Sequence, residues 1–203
     1  MKKKISVFAG NDCVKGKQNY YFELAYKTGR LLAENGFVTI TGAGSGLMEE
    51  AMKGAFEAGG ETIGVGLDFR HTKIMSEDVE PKASNISDYF EGRQQSKYVK
   101  DVEVFKLLGP RQEKIIKLAD AFIALPGGVG TFFEVFNVLA LKRLREIPKD
   151  VPLILIGKYF SILKETLDTM IKEGFLESSG SSLYRIVETP EEAVRILNDN
   201  FKS

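Results

Sequence analysis

The sequence predicts an α/β fold in which helices flank a Rossmann-like, doubly wound and mostly parallel β-sheet. Two observations lead to this prediction. Strand-like and helix-like segments alternate along almost the whole chain, and several strand candidates are unbroken apolar runs rich in β-branched residues. Unbroken apolar runs are typical of strands that helices cover on both faces. Regular alternation of strand and helix indicates parallel strands, with ligands bound outside their carboxyl ends.

Seven segments fit strands and six fit helices. The strand candidates are Ile5–Ala9, Phe37–Thr41, Thr62–Val65, Val102–Leu108, Ala121–Leu125, Val151–Ile156 and Leu183–Val187. The helix candidates are Tyr21–Asn35, Leu47–Ala58, Gln112–Ala119, Phe132–Arg145, Phe160–Glu173 and Glu191–Asn200. Gly36 is a plausible helix stop, and Pro190 is a plausible first helical residue. A chain of 203 residues suits one domain, so we expect a single Rossmann-like nucleotide-binding domain over residues 1–203.

Composition limits the partners and the compartment. Lys plus Arg equals Asp plus Glu at 28 each, so no overall field attracts nucleic acid or a membrane surface, and we expect neither as a partner. Cys13 is the single cysteine and His71 the single histidine, which excludes an internal disulfide and a His-rich or thiolate metal site. No run approaches the 18 apolar residues of a membrane span. We therefore expect a cytoplasmic protein without a metal site.

One long segment interrupts the alternation of strands and helices. Asp68–Asp101 is polar and poorly periodic, and connections of this length are usually functional or disordered. The segment is either a lid over a site or a partly helical surface excursion. Arg93 and Lys97 lie in it, and both are expected to face solvent unless the lid contacts a phosphate.

Two glycine-rich loops predict a phosphate site. TGAGSGLMEE follows the second strand and LPGGVGTFFE follows the fifth. In each loop glycines precede a helix, whose first N–H groups have no partner inside the helix and attract anions. The pair predicts that a nucleoside monophosphate or a similar ligand binds between the loops. The candidate binding residues are Gly42, Gly44, Ser45, Gly46, Gly127, Gly128, Gly130 and Thr131.

Other interpretations of the loops are structural. Thr131-x-x-Glu134 is also a capping box, and these residues alone favour a helix cap over catalysis. The cap does not explain the paired glycines Gly127-Gly128. Ser45 would be the N-cap of the second helix if the first loop is a plain turn. A P-loop is excluded after the first strand, because AGNDCVKGKQ is one residue too long and carries Gln18 in place of Ser or Thr.

The motifs resemble those of one family. PGGVGTFFE is similar to the PGGxGTxxE signature of the Lonely Guy family of phosphoribohydrolases, and GAGSGLMEEAMKGAFEAGG resembles its GGGPGxMEAAxxGAxxAGG segment. The resemblance covers roughly residues 5 to 176. It implies hydrolysis of the N-glycosidic bond of a nucleoside 5′-monophosphate, of the AMP or cytokinin-ribotide type, to free base and ribose 5-phosphate. It implies no cofactor.

The resemblance also implies the catalytic pair, Arg111 and Glu134. Glu134, expected in the first helical turn after the second loop, would place a carboxylate beside the ribose. Arg111, expected just before the helix that leads into the fifth strand, would hold the phosphate or favour departure of the base. The chain departs from the family at Gln112, where relatives have lysine, and at Arg143, where many have glutamine.

One alternative to the hydrolase follows from related proteins, and a second reaction has little support. Molybdenum-cofactor carriers resemble this family, so a carrier that binds a nucleotide or cofactor without turnover stays open. A lysine decarboxylase would need a Schiff-base lysine for pyridoxal phosphate, and neither glycine loop has a lysine placed for that role.

The helix beginning at Phe132 is apolar around most of its circumference, which predicts either a homodimer contact or tight burial within one subunit.

Overall fold

A computed structural model of the protein describes residues 1–68 and 98–202. The strands are β1 (Lys4–Phe8), β2 (Val38–Thr41), β3 (Thr62–Leu67), β4 (Asp101–Phe105), β5 (Ala121–Ala124), β6 (Leu153–Ile156) and β7 (Arg185–Val187). The helices are α1 (Gln18–Glu34), α2 (Leu47–Glu57), α3 (Leu108–Leu118), α4 (Val129–Leu144), α5 (Ser161–Lys172) and α6 (Pro190–Lys202). Each predicted strand and helix is present, and the predicted α/β class is confirmed.

The seven strands form one sheet in which every neighbouring pair is parallel. Their order is β4-β3-β2-β1-β5-β6-β7, so the chain builds one half of the sheet outward from β1 and the other half outward from β5. The connection that follows β1 and the connection that follows β5 therefore run toward opposite edges of the sheet. A crevice forms at such a switch point, outside the carboxyl ends of the strands.

The helices cover both faces of the sheet. Side chains of β1 alternate between the two faces: Ile5 and Val7 pack with α1, α2 and α6, whereas Phe8 packs with α3, α4 and α5. All of these side chains are almost fully buried. Burial on both faces explains why the strands are continuously apolar in sequence.

Helices α1 and α2 pack unusually closely. A Cβ atom at Gly29 would overlap with the backbone carbonyl of Ala51, and one at Gly54 would overlap with the carbonyl of Tyr26. Only glycine fits at these two positions, so the backbones of the two helices are in direct contact.

Two differences from the predicted elements affect the site. Helix α3 begins at Leu108, four residues earlier than predicted, and β4 ends at Phe105. Arg111 therefore lies inside α3 and does not precede it. Most of the predicted irregular segment, including His71, Arg93 and Lys97, lies outside the described residues. Among the residues the structure describes, no helix is long and apolar enough to cross a membrane.

Candidate functional site

A cavity of about 560 Å³ opens at the carboxyl ends of the central strands. Its wall is formed by the loops after β1, β2 and β5, together with residues of β3, α2, α3 and α4. The lining residues are Ala9, Gly10, Asn11, Gly42, Gly44, Met48, Leu67, Leu108, Arg111, Gly128, Val129, Gly130, Thr131, Phe133 and Glu134. The two glycine loops predicted from sequence therefore meet at one cavity.

The loop after β1 connects the two glycine loops. The Gly10 N–H donates to the Pro126 carbonyl over 3.1 Å, and the Gly10 carbonyl accepts a hydrogen bond from the Leu47 N–H, also over 3.1 Å. Asn11, the next residue, lines the cavity. Because β1 lies between β2 and β5, its loop fixes the distance between the two glycine loops.

The first glycine loop is shaped by close packing. Gly46 has φ of +70°, and a Cβ there would overlap with the Asn11 carbonyl, so this turn requires glycine. A Cβ at Gly42 would overlap with Nη2 of Arg111. The absence of a side chain at Gly42 therefore makes room for the arginine head group.

The helix cap that was one of two interpretations of this first loop is absent. The N-cap of α2 is Gly46, and no side chain, including that of Ser45, caps the helix. The alternative in which Ser45 caps a plain turn is thus excluded. Ala43 has φ of +54°, an uncommon value for a residue with a Cβ.

The second glycine loop does not contain the capping box. Helix α4 begins at Val129 with Gly128 as N-cap and without a side-chain cap bond, so Thr131 lies inside the helix. Glu134 lies in the second helical turn, one turn later than predicted. Its carboxylate does not return to the cap and instead contacts Arg111. Space for Gly127 is limited, because a Cβ there would overlap with Oγ1 of Thr131.

Arg111 and Glu134 both line the cavity and form a buried ion pair with each other. Nη1 of Arg111 lies 2.5 Å from Oε1 of Glu134, and the two residues are only 8% and 7% exposed. Nε of Arg111 also donates a hydrogen bond of 3.0 Å to the carbonyl of Val65, which lies within β3. A guanidinium held at two points has one orientation, so the carboxylate it contacts is held as well.

Burial dominates the electrostatics of the carboxylate. It raises the pKa of Glu134 above the usual range of a glutamate, while the charge and the hydrogen bond of Arg111 act to lower it. A fixed carboxylate that is almost fully buried interacts strongly with any positive charge that develops beside it.

The structure brings most of the predicted site residues together at the cavity. Arg111, Glu134 and, from the two loops, Gly42, Gly44, Gly128, Gly130 and Thr131 line it. Ser45, Gly46 and Gly127 do not line it, although Gly46 and Gly127 shape the loops. Sequence analysis missed Asn11 and the apolar wall of Met48, Leu67, Leu108, Val129 and Phe133. The signal for Asn11 was its place in the loop after β1, at the carboxyl end of a central strand.

The two departures from the family pattern lie outside the cavity lining. Gln112 is 1% exposed, and its Oε1 is 3.5 Å from Nη1 of Arg111. Its Nε2 has no hydrogen-bond partner among the described residues. Arg143 is exposed and lines a small surface depression near Arg145 and Lys149. In the described ranges, no three His, Cys, Asp or Glu side chains form a group that could hold a metal ion.

The fold and the cavity define a Rossmann-like α/β protein with a buried Arg–Glu pair beside two glycine loops. The family described as "Possible lysine decarboxylase" matches residues 48–197. The chain belongs to this family, which is the Lonely Guy family.

Plant proteins are among the relatives. The chain is 26% identical over 198 residues to the probable cytokinin riboside 5′-monophosphate phosphoribohydrolase LOGL2 of Oryza sativa subsp. japonica, covering 97% of this chain and 72% of that protein. It is 27% identical over 198 residues to the cytokinin riboside 5′-monophosphate phosphoribohydrolase LOG1 of Arabidopsis thaliana, covering 97% and 83%.

Solved structures share the fold. The X-ray structure of TM1055 superposes with a TM-score of 0.67 at 22% identity, covering 97% of this chain and 99% of that one. The molybdenum cofactor carrier protein of Chlamydomonas reinhardtii superposes with a TM-score of 0.65 at 25% identity, covering 100% of both chains. The chain is thus similar in sequence to proteins named as phosphoribohydrolases and similar in fold to a protein named as a carrier.

Proposed function

We propose that the protein is a phosphoribohydrolase that cleaves the N-glycosidic bond of a nucleoside 5′-monophosphate of the AMP or cytokinin-ribotide type. The products are the free base and ribose 5-phosphate. The observation that carries this proposal is the buried pair of Arg111 and Glu134 in a cavity between two glycine loops. The names of the plant relatives agree with it.

Phosphate binding is assigned to the starts of helices α2 and α4. Both helices begin directly after a glycine loop, and their first N–H groups have no partner within the helix, although the Leu47 N–H of α2 donates to the Gly10 carbonyl. These donors and the helix dipoles favour an anion at the same edge of the sheet. Gly128 and Gly130 leave the backbone open at the cavity wall, because a Cβ at either would meet open space, and this allows a phosphate to approach closely.

Glu134 is assigned to the ribose. When the glycosidic bond breaks, the base leaves with the bonding electron pair, and positive charge develops on the anomeric carbon and ring oxygen. A carboxylate fixed beside the ribose stabilises that charge. Water then adds its oxygen to the anomeric carbon, one proton of that water is released, and the base takes up a proton. Arg111 holds the carboxylate in place through the contact of 2.5 Å, and its charge opposes the rise in the pKa of Glu134 that burial causes.

A lysine-based mechanism has no support in the cavity. Among the described residues that line it, none is a lysine. The family description "Possible lysine decarboxylase" names a reaction that depends on a Schiff-base lysine for pyridoxal phosphate. Glycosidic hydrolysis instead uses the acidic side chain that is present.

A carrier is the second candidate, and the similarity to the molybdenum cofactor carrier of Chlamydomonas reinhardtii favours it. The two candidates differ in turnover. Purified protein is incubated with AMP, GMP, CMP and isopentenyl-AMP, and ribose 5-phosphate is assayed, with adenosine as the control that lacks a phosphate. The hydrolase releases ribose 5-phosphate from at least one nucleotide and little ribose from adenosine. Tight nucleotide binding without any product would replace the hydrolase with the carrier.

We further propose that the protein is a homodimer through the exposed apolar side of α4. Val129, Phe133 and Leu144 are 88%, 43% and 64% exposed on this helix. A soluble helix gains stability when such side chains are covered by a symmetric copy. Light scattering is expected to give twice the chain mass for the wild type and the single mass for Leu144→Glu. A monomeric wild type would exclude the contact.

A further inference from the structure

Tyr159 lies outside the cavity lining but contacts the second glycine loop. It belongs to a single helical turn, Lys158–Phe160, that follows β6. Its hydroxyl donates a hydrogen bond of 2.6 Å to the carbonyl of Gly127. We propose that Tyr159 is a positioning residue that orients the Gly127–Gly128 peptide toward the phosphate of the ligand. This inference rests on the phosphate site of the proposed function, and it applies to a hydrolase and to a carrier alike.

The geometry of the peptide assigns the direction of its N–H group. The peptide bonds of the described chain are trans, so the Gly127 carbonyl and the Gly128 N–H point to opposite sides. The carbonyl points toward Tyr159. Gly128 lines the cavity and Tyr159 does not. The hydrogen bond therefore keeps the donor on the cavity side and the acceptor away from it.

This peptide needs an external restraint. Its rotation changes ψ of Gly127 and φ of Gly128, and neither residue has a Cβ to restrict it. A Cβ at Gly128 would meet open space, so packing restrains that end of the peptide little, whereas Thr131 limits the space at Gly127. A rotated peptide would present its carbonyl oxygen to the anion and repel it. The preceding carbonyl, that of Pro126, is already held by the Gly10 N–H, so Tyr159 supplies the second restraint.

The tyrosine ring is fixed independently of its hydroxyl. Its centroid lies 6.2 Å from the Phe132 ring and 5.5 Å from the Phe160 ring. Tyr159→Phe therefore removes one hydrogen bond and keeps the ring contacts. Tyr26→Phe is the matched control, because the Tyr26 hydroxyl donates to Glu57 over 2.9 Å and neither residue lines the cavity.

Calorimetry with AMP, inorganic phosphate and adenosine tests the assignment on the wild type and both variants. Loss of one oriented N–H to a phosphate is expected to weaken AMP and phosphate binding about tenfold in Tyr159→Phe. Adenosine binding and the melting temperature are expected to stay close to the wild type, as are all readouts for Tyr26→Phe. In turnover assays KM for AMP rises while kcat changes little.

The outcomes separate this inference from the proposed function. Unchanged AMP and phosphate affinity in Tyr159→Phe overturns the inference and leaves the hydrolase standing. An equal loss for AMP and adenosine also overturns it, because the effect is then not directed at phosphate. Wild-type protein that binds AMP without releasing ribose 5-phosphate contradicts the hydrolase alone, and the affinity ratio still decides the role of Tyr159. Wild-type protein that binds neither AMP nor phosphate overturns both.

Discussion

The side chains of Arg111 and Glu134 meet at 2.5 Å, although they lie on different helices, 23 residues apart in sequence. Helix α3 follows β4 at one edge of the sheet, and helix α4 follows β5 beyond the switch point. Both helices pack on the same face. The fold thereby brings together one cation and one anion that sequence spacing alone does not connect.

Replacing Glu134 by glutamine tests the acidic group directly. Glu134→Gln keeps the size of the side chain and removes the charge that, in the proposed mechanism, stabilises the transition state. We expect release of ribose 5-phosphate to fall about 100-fold or more, as for the loss of other electrostatic groups in active sites. Stopped assays of product against time measure the change. Glu113→Gln, an exposed glutamate on α3, is the control. Activity of Glu134→Gln close to that of the wild type would remove Glu134 from the mechanism.

The pKa of Glu134 provides a second test. Burial raises it, and Arg111 acts to lower it. A raised pKa means that the carboxylate gains its proton at a higher pH than the ordinary value of about 4.3, so the acid limb of kcat/KM lies above that value. Arg111→Leu removes the lowering effect and is expected to move the pKa further up.

Carbon-13 NMR titration of the glutamate carboxyls measures the shift, and Glu134→Gln identifies the resonance by its absence. A downward shift in Arg111→Leu would mean that the arginine does not stabilise the carboxylate.

Gly42 is expected to matter because of Arg111. A methyl group there would overlap with Nη2 of Arg111, so Gly42→Ala must displace the guanidinium. Displacements of this kind cost on the order of 100-fold in rate, and we expect kcat to fall by about that factor. Gly109→Ala is the control, because it lies in the first turn of α3 and its Cβ would meet open space. Steady-state kinetics of both variants decide the point. Equal kcat values for the two would show that the arginine position is not important.

Lys142 links α4 to two neighbouring segments. It is 2% exposed, and its Nζ donates to the carbonyls of Val151 and Leu183 over 2.7 and 2.6 Å. Burial lowers its pKa to about 8. Lys142→Met leaves both carbonyls without this donor, and we expect the free energy of unfolding to fall by about 2 kcal/mol. Urea unfolding followed by circular dichroism measures the loss.

The difference between wild type and Lys142→Met also depends on pH. A folded-state pKa of about 8 lies below the unfolded value of about 10.4, so between these pH values the unfolded chain holds a proton that the folded chain has released. The stability of the wild type relative to Lys142→Met therefore rises across this window. A neutral amine still has two N–H groups, so both hydrogen bonds persist. Lys164→Met, an exposed position, serves as the control, and a difference that is independent of pH would contradict the lowered pKa.

Much of the fold could be predicted from sequence, because its signals are local. Continuous apolar runs located all seven strands, and periodic segments located the six helices. The boundaries of α3 were missed, since Leu107 and Leu108 extend an apolar strand pattern although a helix begins there. Apolarity alone does not separate the end of a strand from the start of a helix.

The site was only partly predictable, for a physical reason. The glycine loops have a local pattern, and the structure has a cavity lined by both of them. The capping box was also a local pattern, but it was wrong because Glu134 has a stronger partner on another helix. Contacts of Arg111 with Val65 and of Tyr159 with Gly127 join residues 46 and 32 positions apart. No local pattern encodes such contacts.

The direct backbone contact at Gly29 and Gly54 has a consequence for the cavity. Helix α2 starts where the first glycine loop ends, and this loop forms one wall of the cavity. The position of that wall therefore depends on α1, which packs on the sheet face opposite to Arg111 and Glu134. Two helices without intervening side chains cannot slide past each other without a clash. Widening of the cavity to admit a larger ligand must then come from segments other than α2. A single methyl group at Gly29 is expected to disturb the cavity from a distant part of the molecule.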